Sequence, residues 1–243
     1  MRTALILAAI ALTPPADWAP DVDSARHYAQ TRQGIVTFHV RTERGRWSYD
    51  ADRAVPSASV VKAMLMAAYL SRRETRDRPL TASDRRLLDP MIRRSHNRAA
   101  TRVRDIVGNA ALRRLARRAG MARFATHPIW GLSRITARDQ TRLWLRFESF
   151  LPPRHRDYAM QLLRTIVPRQ RWGFGALAYP PGWELFFKGG WGSGSGLVEH
   201  QVALLRRGAE RVAVAILTTG SPSHAYGKQT LRSIAERLLH GLP

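Results

Sequence analysis

Apolar positions along this chain change their period in a fixed order, β-like near both ends and helical between. Residues 21–32 (DVDSARHYAQTR) carry a helical period and predict a short amphipathic helix. Residues 34–41 (GIVTFHVR) are β-rich, Glu43-Arg44-Gly45-Arg46 turns the chain, and residues 47–49 return, which reads as a hairpin. Residues 59–70 (SVVKAMLMAAYL) are apolar nearly all round and long enough for a buried helix. Residues 72–79 read as a charged surface linker. From residue 81 to about residue 164 the period is mostly helical: TASDRRLLDPMIRRS, NRAATRVRDIV, NAALRRLARRAG closed by Gly120, then TARDQTRLWLRFESF. Residues 173–182 form a Gly/Pro-rich loop. Residues 184–188, 197–206 and 211–218 are strand-like, with Arg207-Gly208 at a turn, and residues 226–239 close the chain with a helix.

These elements predict an α/β (α+β) protein. Its two β-rich ends meet in one antiparallel sheet with the terminal helices on a face, and the helical stretch forms a second lobe. The boundaries expected are a sheet lobe of residues 21–58 and 183–243 and a helical lobe of residues 59–182, together one domain. Ahead of it, residues 1–13 (MRTALILAAIALT) place Arg2 before an apolar run at 4–12. That run is shorter than the about 20 residues a bilayer span requires and matches a signal peptide, so residues 1–20 are read as a secretory leader and the mature protein as extracytoplasmic. A buried N-terminal helix is the alternative. No other apolar stretch is long enough to span.

With 243 residues, 44% hydrophobic and 24% charged, the chain has enough apolar material for a core, which excludes wholesale disorder. It has no Cys, which excludes a disulfide scaffold, thiolate metal sites and a cysteine nucleophile. Its eight His are scattered with no H-x-x-x-H pair, so no metal and no cofactor are expected. The net charge of +22 points to anionic partners. Nucleic acid is set aside: the arginines of residues 72–118 fall on several faces and no aromatic stacking motif accompanies them. An anionic cell-envelope polymer fits better, and the chain is read as a monomer.

Of the 40 basic residues only three are Lys: Lys62, Lys188 and Lys228. In a chain that writes nearly every cation as Arg, Lys is kept where Arg cannot serve, since a buried Lys can lose its proton. Ser59-Val60-Val61-Lys62 sets a hydroxyl and an amine three residues apart at a helix start, on one face. Desolvation in that apolar helix lowers the amine's pKa and makes it a candidate base. The bland alternative is a capping Ser with a snorkelling Lys. Ser95-His96-Asn97 and Lys188-Gly189-Gly190 follow; the bland readings are a capping pair at a helix break and a strand-end surface charge. Lys228 has no motif partner and is read as solvated. Gly192-Ser193-Gly194-Ser195-Gly196 matches neither a nucleophile elbow nor a dinucleotide loop and is read as a flexible strand-edge loop beside the site.

The order S-x-x-K, S-x-N, K-x-G resembles the motif set of class A β-lactamases and penicillin-binding proteins. Residues 82–121 resemble that family's helical lobe, and RVAVAILTTGS with the helix after it resembles the last strand and helix; the likeness covers roughly residues 24–240. It implies a β-lactamase/transpeptidase-like fold and a serine hydrolase acting on β-lactams or cell-wall-like peptide amides, with a role in β-lactam catabolism. Carried over, Ser59 would be the acylated nucleophile and Lys62 its base. Ser95 would pass a proton to the leaving nitrogen. Asn97 would hold Lys62 and the substrate amide. Lys188 would draw the substrate carboxylate, with Gly190 beside it. The N–H groups of Ser59 and Trp191 would form the oxyanion hole.

Three departures qualify this. His96 stands where the family's second motif has Asp, so a local structural change is expected. Gly189 stands where the third has a hydroxyl. The third is the largest: family members carry a Glu on a loop after the helical lobe to activate the deacylating water, and residues 121–135 (MARFATHPIWGLSRI) hold no carboxylate. His127 could substitute, although a surface-loop histidine is the simpler reading, and Asp139 is the nearest acid. The second function in view is therefore a binding protein of the same fold that captures such ligands with negligible turnover.

Overall fold

The structure, a computed structural model, describes residues 18–193 and 197–243. The leader-like run at 1–13 and the loop positions 194–196 lie outside those residues.

Helix α1 (Val22–Gln30) opens on Asp21, whose carboxylate accepts from Ser24 N at 3.0 Å. Strands β1 (Ile35–Arg41) and β2 (Arg46–Tyr49) form the expected hairpin. Short strands β3 (Val55–Pro56) and β4 (Arg134–Ile135) follow in sequence, and near the C-terminus come β5 (Glu184–Gly192), β6 (Val198–Arg207), β7 (Glu210–Thr219) and α8 (His224–Leu239). The two ends meet in a five-stranded antiparallel sheet of order β2-β1-β7-β6-β5. Consecutive residues of β6 and β7 are buried, not alternate ones, because both faces are covered. Helices α1 and α8 pack together on the sheet, and α6 (Ala137–Leu145) packs on β1 and β7.

The helical lobe is built around α2 (Lys62–Leu70), in which every residue is buried; α4 (Ala82–Arg93) and α5 (Asn97–Arg118) pack against it. The single-turn 3-10 helix at Ala58–Val61 leads into it, so the buried run begins one turn before regular helix does. Gly108, at φ 68°, divides α5 where the two helical runs join. Helix α7 (Arg156–Arg164) completes the lobe.

Four details differ from the sequence reading. The charged linker contains a four-residue helix, α3 (Arg73–Arg76), with Thr75 fully buried and its carbonyl bonded by His155 Nε2 at 2.9 Å. Four residues are too few to show a period. Strand β5 runs four residues past Lys188 and pairs with β6 through Gly192; its glycines make it look like a loop, but Gly190 is there for a close approach described below. A two-stranded pair, β3 (Val55–Pro56) with β4 (Arg134–Ile135), ties the residues ahead of Ser59 to the end of the carboxylate-free stretch. Finally, Lys228 is half-buried, its ammonium 5.6 Å from the Trp172 ring centroid. The aromatic partner is 56 positions away, so no local pattern announces it.

Candidate active site

Ser59 lies in the 3-10 turn and is 7% exposed. It caps no helix. The residue before it, Ala58, has φ 43°, a left-handed conformation that costs a non-glycine residue about 1–3 kcal/mol and persists only where the surroundings enforce it. The enforcement is visible. Ser57 N donates to Ser133 O at 2.7 Å. One residue earlier, Pro56 O accepts from His200 Nε2 at 2.8 Å, and His200 Nδ1 in turn accepts from Thr218 N at 3.1 Å. Burial holds His200 down at about 4, so the neutral ring with its proton on Nε2 is the form that braces the turn.

Strand β5 closes on the same turn. A Cβ at Gly190 would stand 2.8 Å from Ser59 N and 3.0 Å from Val60 N, both backbone atoms. Only glycine lets the edge strand come this near the Ser59 amide.

Lys62, the first residue of α2, is fully buried, so it does not snorkel. Its Nζ donates to Ser95 O at 2.6 Å, Asn97 Oδ1 at 2.8 Å and Ser95 Oγ at 3.1 Å. Lys188 Nζ, also fully buried, donates to the same Ser95 Oγ at 3.2 Å and to Gly189 O at 2.8 Å. One hydroxyl thus joins two amines, and with both its lone pairs taken, its own proton is left to point elsewhere. No carboxylate touches either amine among the described residues. Burial, and secondarily the charge of Lys188, lowers Lys62 to about 6; burial lowers Lys188 to about 7. Lys188 therefore carries its charge only part of the time at neutral pH, which tempers its expected pull on a substrate carboxylate.

Ser95 itself adopts φ 55° between α4 and α5. The cap of α5 is His96, whose Nδ1 accepts from Ala99 N at 3.2 Å. The imidazole supplies the cap acceptor that a carboxylate would, so neither Ser95 nor Asn97 is spent on capping.

Tryptophans wall the site, and of these only Trp191 adjoins a sequence motif. Trp130 lies 4.8 Å from Lys62 Nζ and is anchored by its indole N–H to Thr101 Oγ1 at 3.1 Å. Trp191 lies 5.8 Å from Lys188 Nζ and meets Trp172 edge-on at 6.0 Å. Trp130 comes from the carboxylate-free stretch, so an indole stands over the Lys62 amine. The two substitute bases are engaged elsewhere. His127 Nδ1 accepts from Ile129 N at 3.0 Å within its own loop. Asp139, 1% exposed, accepts from Ala122 N at 2.9 Å and Arg123 N at 2.7 Å.

Of the seven site residues expected from sequence, Ser59 lies in the 3-10 turn, Lys62 opens α2, Ser95 lies between α4 and α5, Asn97 opens α5, and Lys188, Gly190 and Trp191 lie on β5. A separate cleft of about 520 Å³, lined by Arg86, Arg94, Arg98 and Arg169, opens beside His96 rather than Ser59.

Comparison with solved structures gives the same fold. A β-lactamase from Sphaerobacter thermophilus superposes with a TM-score of 0.78 at 20% identity, covering 92% of this chain and 98% of that one. A β-lactamase from Xanthomonas campestris pv. campestris gives 0.75 at 17% identity, covering 91% and 100%. The structure of PBP-A gives 0.74 at 16% identity, covering 91% and 95%. A search of curated protein sequences finds no match. The family described as "Beta-lactamase enzyme family" matches residues 74–242, well over half of the chain, and the protein belongs to that family.

Proposed function

We propose that the protein is a serine hydrolase that acylates Ser59 and acts on β-lactams or cell-wall-like peptide amides. The observation that carries this reading is the buried Lys62–Ser95–Lys188 chain of contacts, which starts one turn after Ser59 and meets no carboxylate among the described residues. Neutral Lys62 takes the proton of Ser59 Oγ as that oxygen attacks the substrate carbonyl carbon. The N–H groups of Ser59 and Trp191 receive the oxyanion. The C–N bond then breaks, the Ser95 hydroxyl gives its proton to the leaving nitrogen, and Lys62 returns one to Ser95. Asn97, already on Lys62, orients the amine and the substrate amide. Lys188, when protonated, draws the substrate carboxylate. Water finally attacks the ester carbonyl carbon, releasing the acid and restoring Ser59.

The +22 charge enters the same reading through Arg86, Arg94, Arg98 and Arg169, none of which has an ion pair among the described residues. An anionic envelope polymer would lie there, which requires the export expected from residues 1–13.

The test is intact-mass spectrometry after incubation with a fluorescent penicillin. One adduct, mapped to Ser59 and absent from Ser59→Ala, is expected; an adduct mapped to another residue would sink the assignment. The melting temperature of Ser59→Ala should stay close to that of the wild type.

A further inference from the structure

Two residues beyond Trp191, Ser193 Oγ lies 3.3 Å from His224 Nε2. The other nitrogen of that ring, Nδ1, is hydrogen-bonded to Glu199 Oε1. The three residues come from three elements. Ser193 follows β5, Glu199 is the second residue of β6 and pairs with Trp191 in register, and His224 opens α8. The Ser59 chemistry uses none of them.

Glu199 is fully buried, and its Oε2 has no hydrogen-bond partner among the described residues. It is lodged against Gly227, where a Cβ would stand 2.0 Å from Oε2. Glycine in the first turn of α8 lets the helix settle onto the carboxylate. Burial pushes the Glu199 carboxyl up, opposed by His224 and then Lys228. A buried carboxylate of this kind depends on its partner, and the imidazole is that partner. The contact fixes the tautomer: Nδ1 carries hydrogen and donates to Glu199, leaving the Nε2 lone pair for the hydroxyl. The His224 side chain is 38% exposed and Ser193 is exposed, so the hydroxyl end of the chain is open to reagents. A tie between α8 and β6 would need only the Nδ1 contact. Hydroxyl, base and buried orienting carboxylate in one line is the arrangement that activates a serine.

We propose that Ser193, His224 and Glu199 form a second nucleophilic site that takes acyl groups from small activated esters. Ser193 Oγ attacks the ester carbonyl carbon and its proton passes to His224 Nε2. The bond to the leaving oxygen breaks, and that oxygen takes the proton from His224, which leaves an acylated Ser193 and a free alcohol. Glu199 is a positioning residue that steadies the imidazolium. At about 3.3 Å per strand residue, Ser193 lies about 10 Å along the edge strand from Gly190 and the Ser59 turn, so the two sites are neighbours with separate nucleophiles.

The experiment treats Ser59→Ala protein with a fluorophosphonate probe, in which fluoride is the leaving group, and follows the adduct by intact mass and peptide mapping. One adduct on Ser193 is expected, absent when Ser193→Ala is added. Adding His224→Asn should slow labelling about 10²–10⁴-fold, the usual worth of a general base. Glu199→Gln, nearly the same shape without the charge, should lower the maximal labelling rate and leave the half-saturating probe concentration unchanged, which a merely structural residue would not do. If that variant does not fold, the Ser193 and His224 variants decide alone. No adduct on Ser193, or undiminished labelling with His224→Asn, overturns the proposal. Because the test starts from Ser59→Ala, its outcome is independent of Ser59 chemistry.

Discussion

Replacing Lys62 by Arg removes the base and leaves a permanent charge in its place. Burial and Lys188 hold the Lys62 amine at about 6. At pH 7 about nine amines in ten are then neutral and able to take the Ser59 proton. An arginine, with a pKa above about 12, offers fewer than about one neutral side chain in 10⁵. The loss is capped by the worth of general-base help, about 10²–10⁴ in rate or roughly 3–5 kcal/mol of barrier. Contacts alone would predict a milder effect, since a guanidinium can still donate to Ser95 O and Asn97 Oδ1, two of the acceptors around Lys62. Stopped-flow acylation by a chromogenic cephalosporin measures the difference. The pH profile supplies the sign. Lys62 works deprotonated, so the wild-type rate constant should rise with pH through about 6; Lys188 works protonated, so it should fall above about 7. The amines share Ser95 Oγ, and the two limbs belong to the pair. The Arg variant should lose the rising limb. Acylation by Lys62→Arg within about tenfold of wild type, or a flat wild-type profile near pH 6, would refute the reasoning.

Gly190→Ala should cut acylation by at least about 10²-fold, since its Cβ would meet Ser59 N at 2.8 Å and a displacement of about 1 Å is enough for that loss; steady-state kinetics on the folded variant check it, and near-normal rates would mean that the strand does not set the Ser59 amide. His200 is held at about 4 against about 6.5 in an unfolded chain, so its neutral form contributes stability that is complete above about pH 6.5 and is lost as pH falls toward 4, in all about 3 kcal/mol. Thermal melts across that window should show the decline in wild type and a shallower one in His200→Gln, with the remainder from His39, which burial lowers to about 3. Deacylation should be slow, because His127 and Asp139 are engaged elsewhere and residues 121–135 hold no acid. Cephalosporin hydrolysis should begin with a burst equal to the enzyme concentration, and fast multiple turnover without a burst would point to another water-activating group.

Period and composition determined much of this protein. The hairpin, the buried helix from Ser59 onward, the division of α5 at Gly108 and the paired C-terminal strands all follow from side-chain patterns within single elements, which is the range over which a period carries information. The scarcity of Lys marked Lys62 and Lys188 as candidate positions, and at Lys62 the reason is that Arg cannot lose a proton. Only the tertiary structure decided how far those residues are coupled. Lys62 and Ser95 are 33 positions apart and Ser95 and Lys188 are 93, and a single shared hydroxyl oxygen depends on how two lobes pack. Trp130 over Lys62, His200 beneath Pro56, and Ser193 on His224 and Glu199 have the same origin. Each lies on a turn or in a fully buried strand, where side chains follow no alternation, and each acquires its chemistry from a partner that the local sequence does not contain.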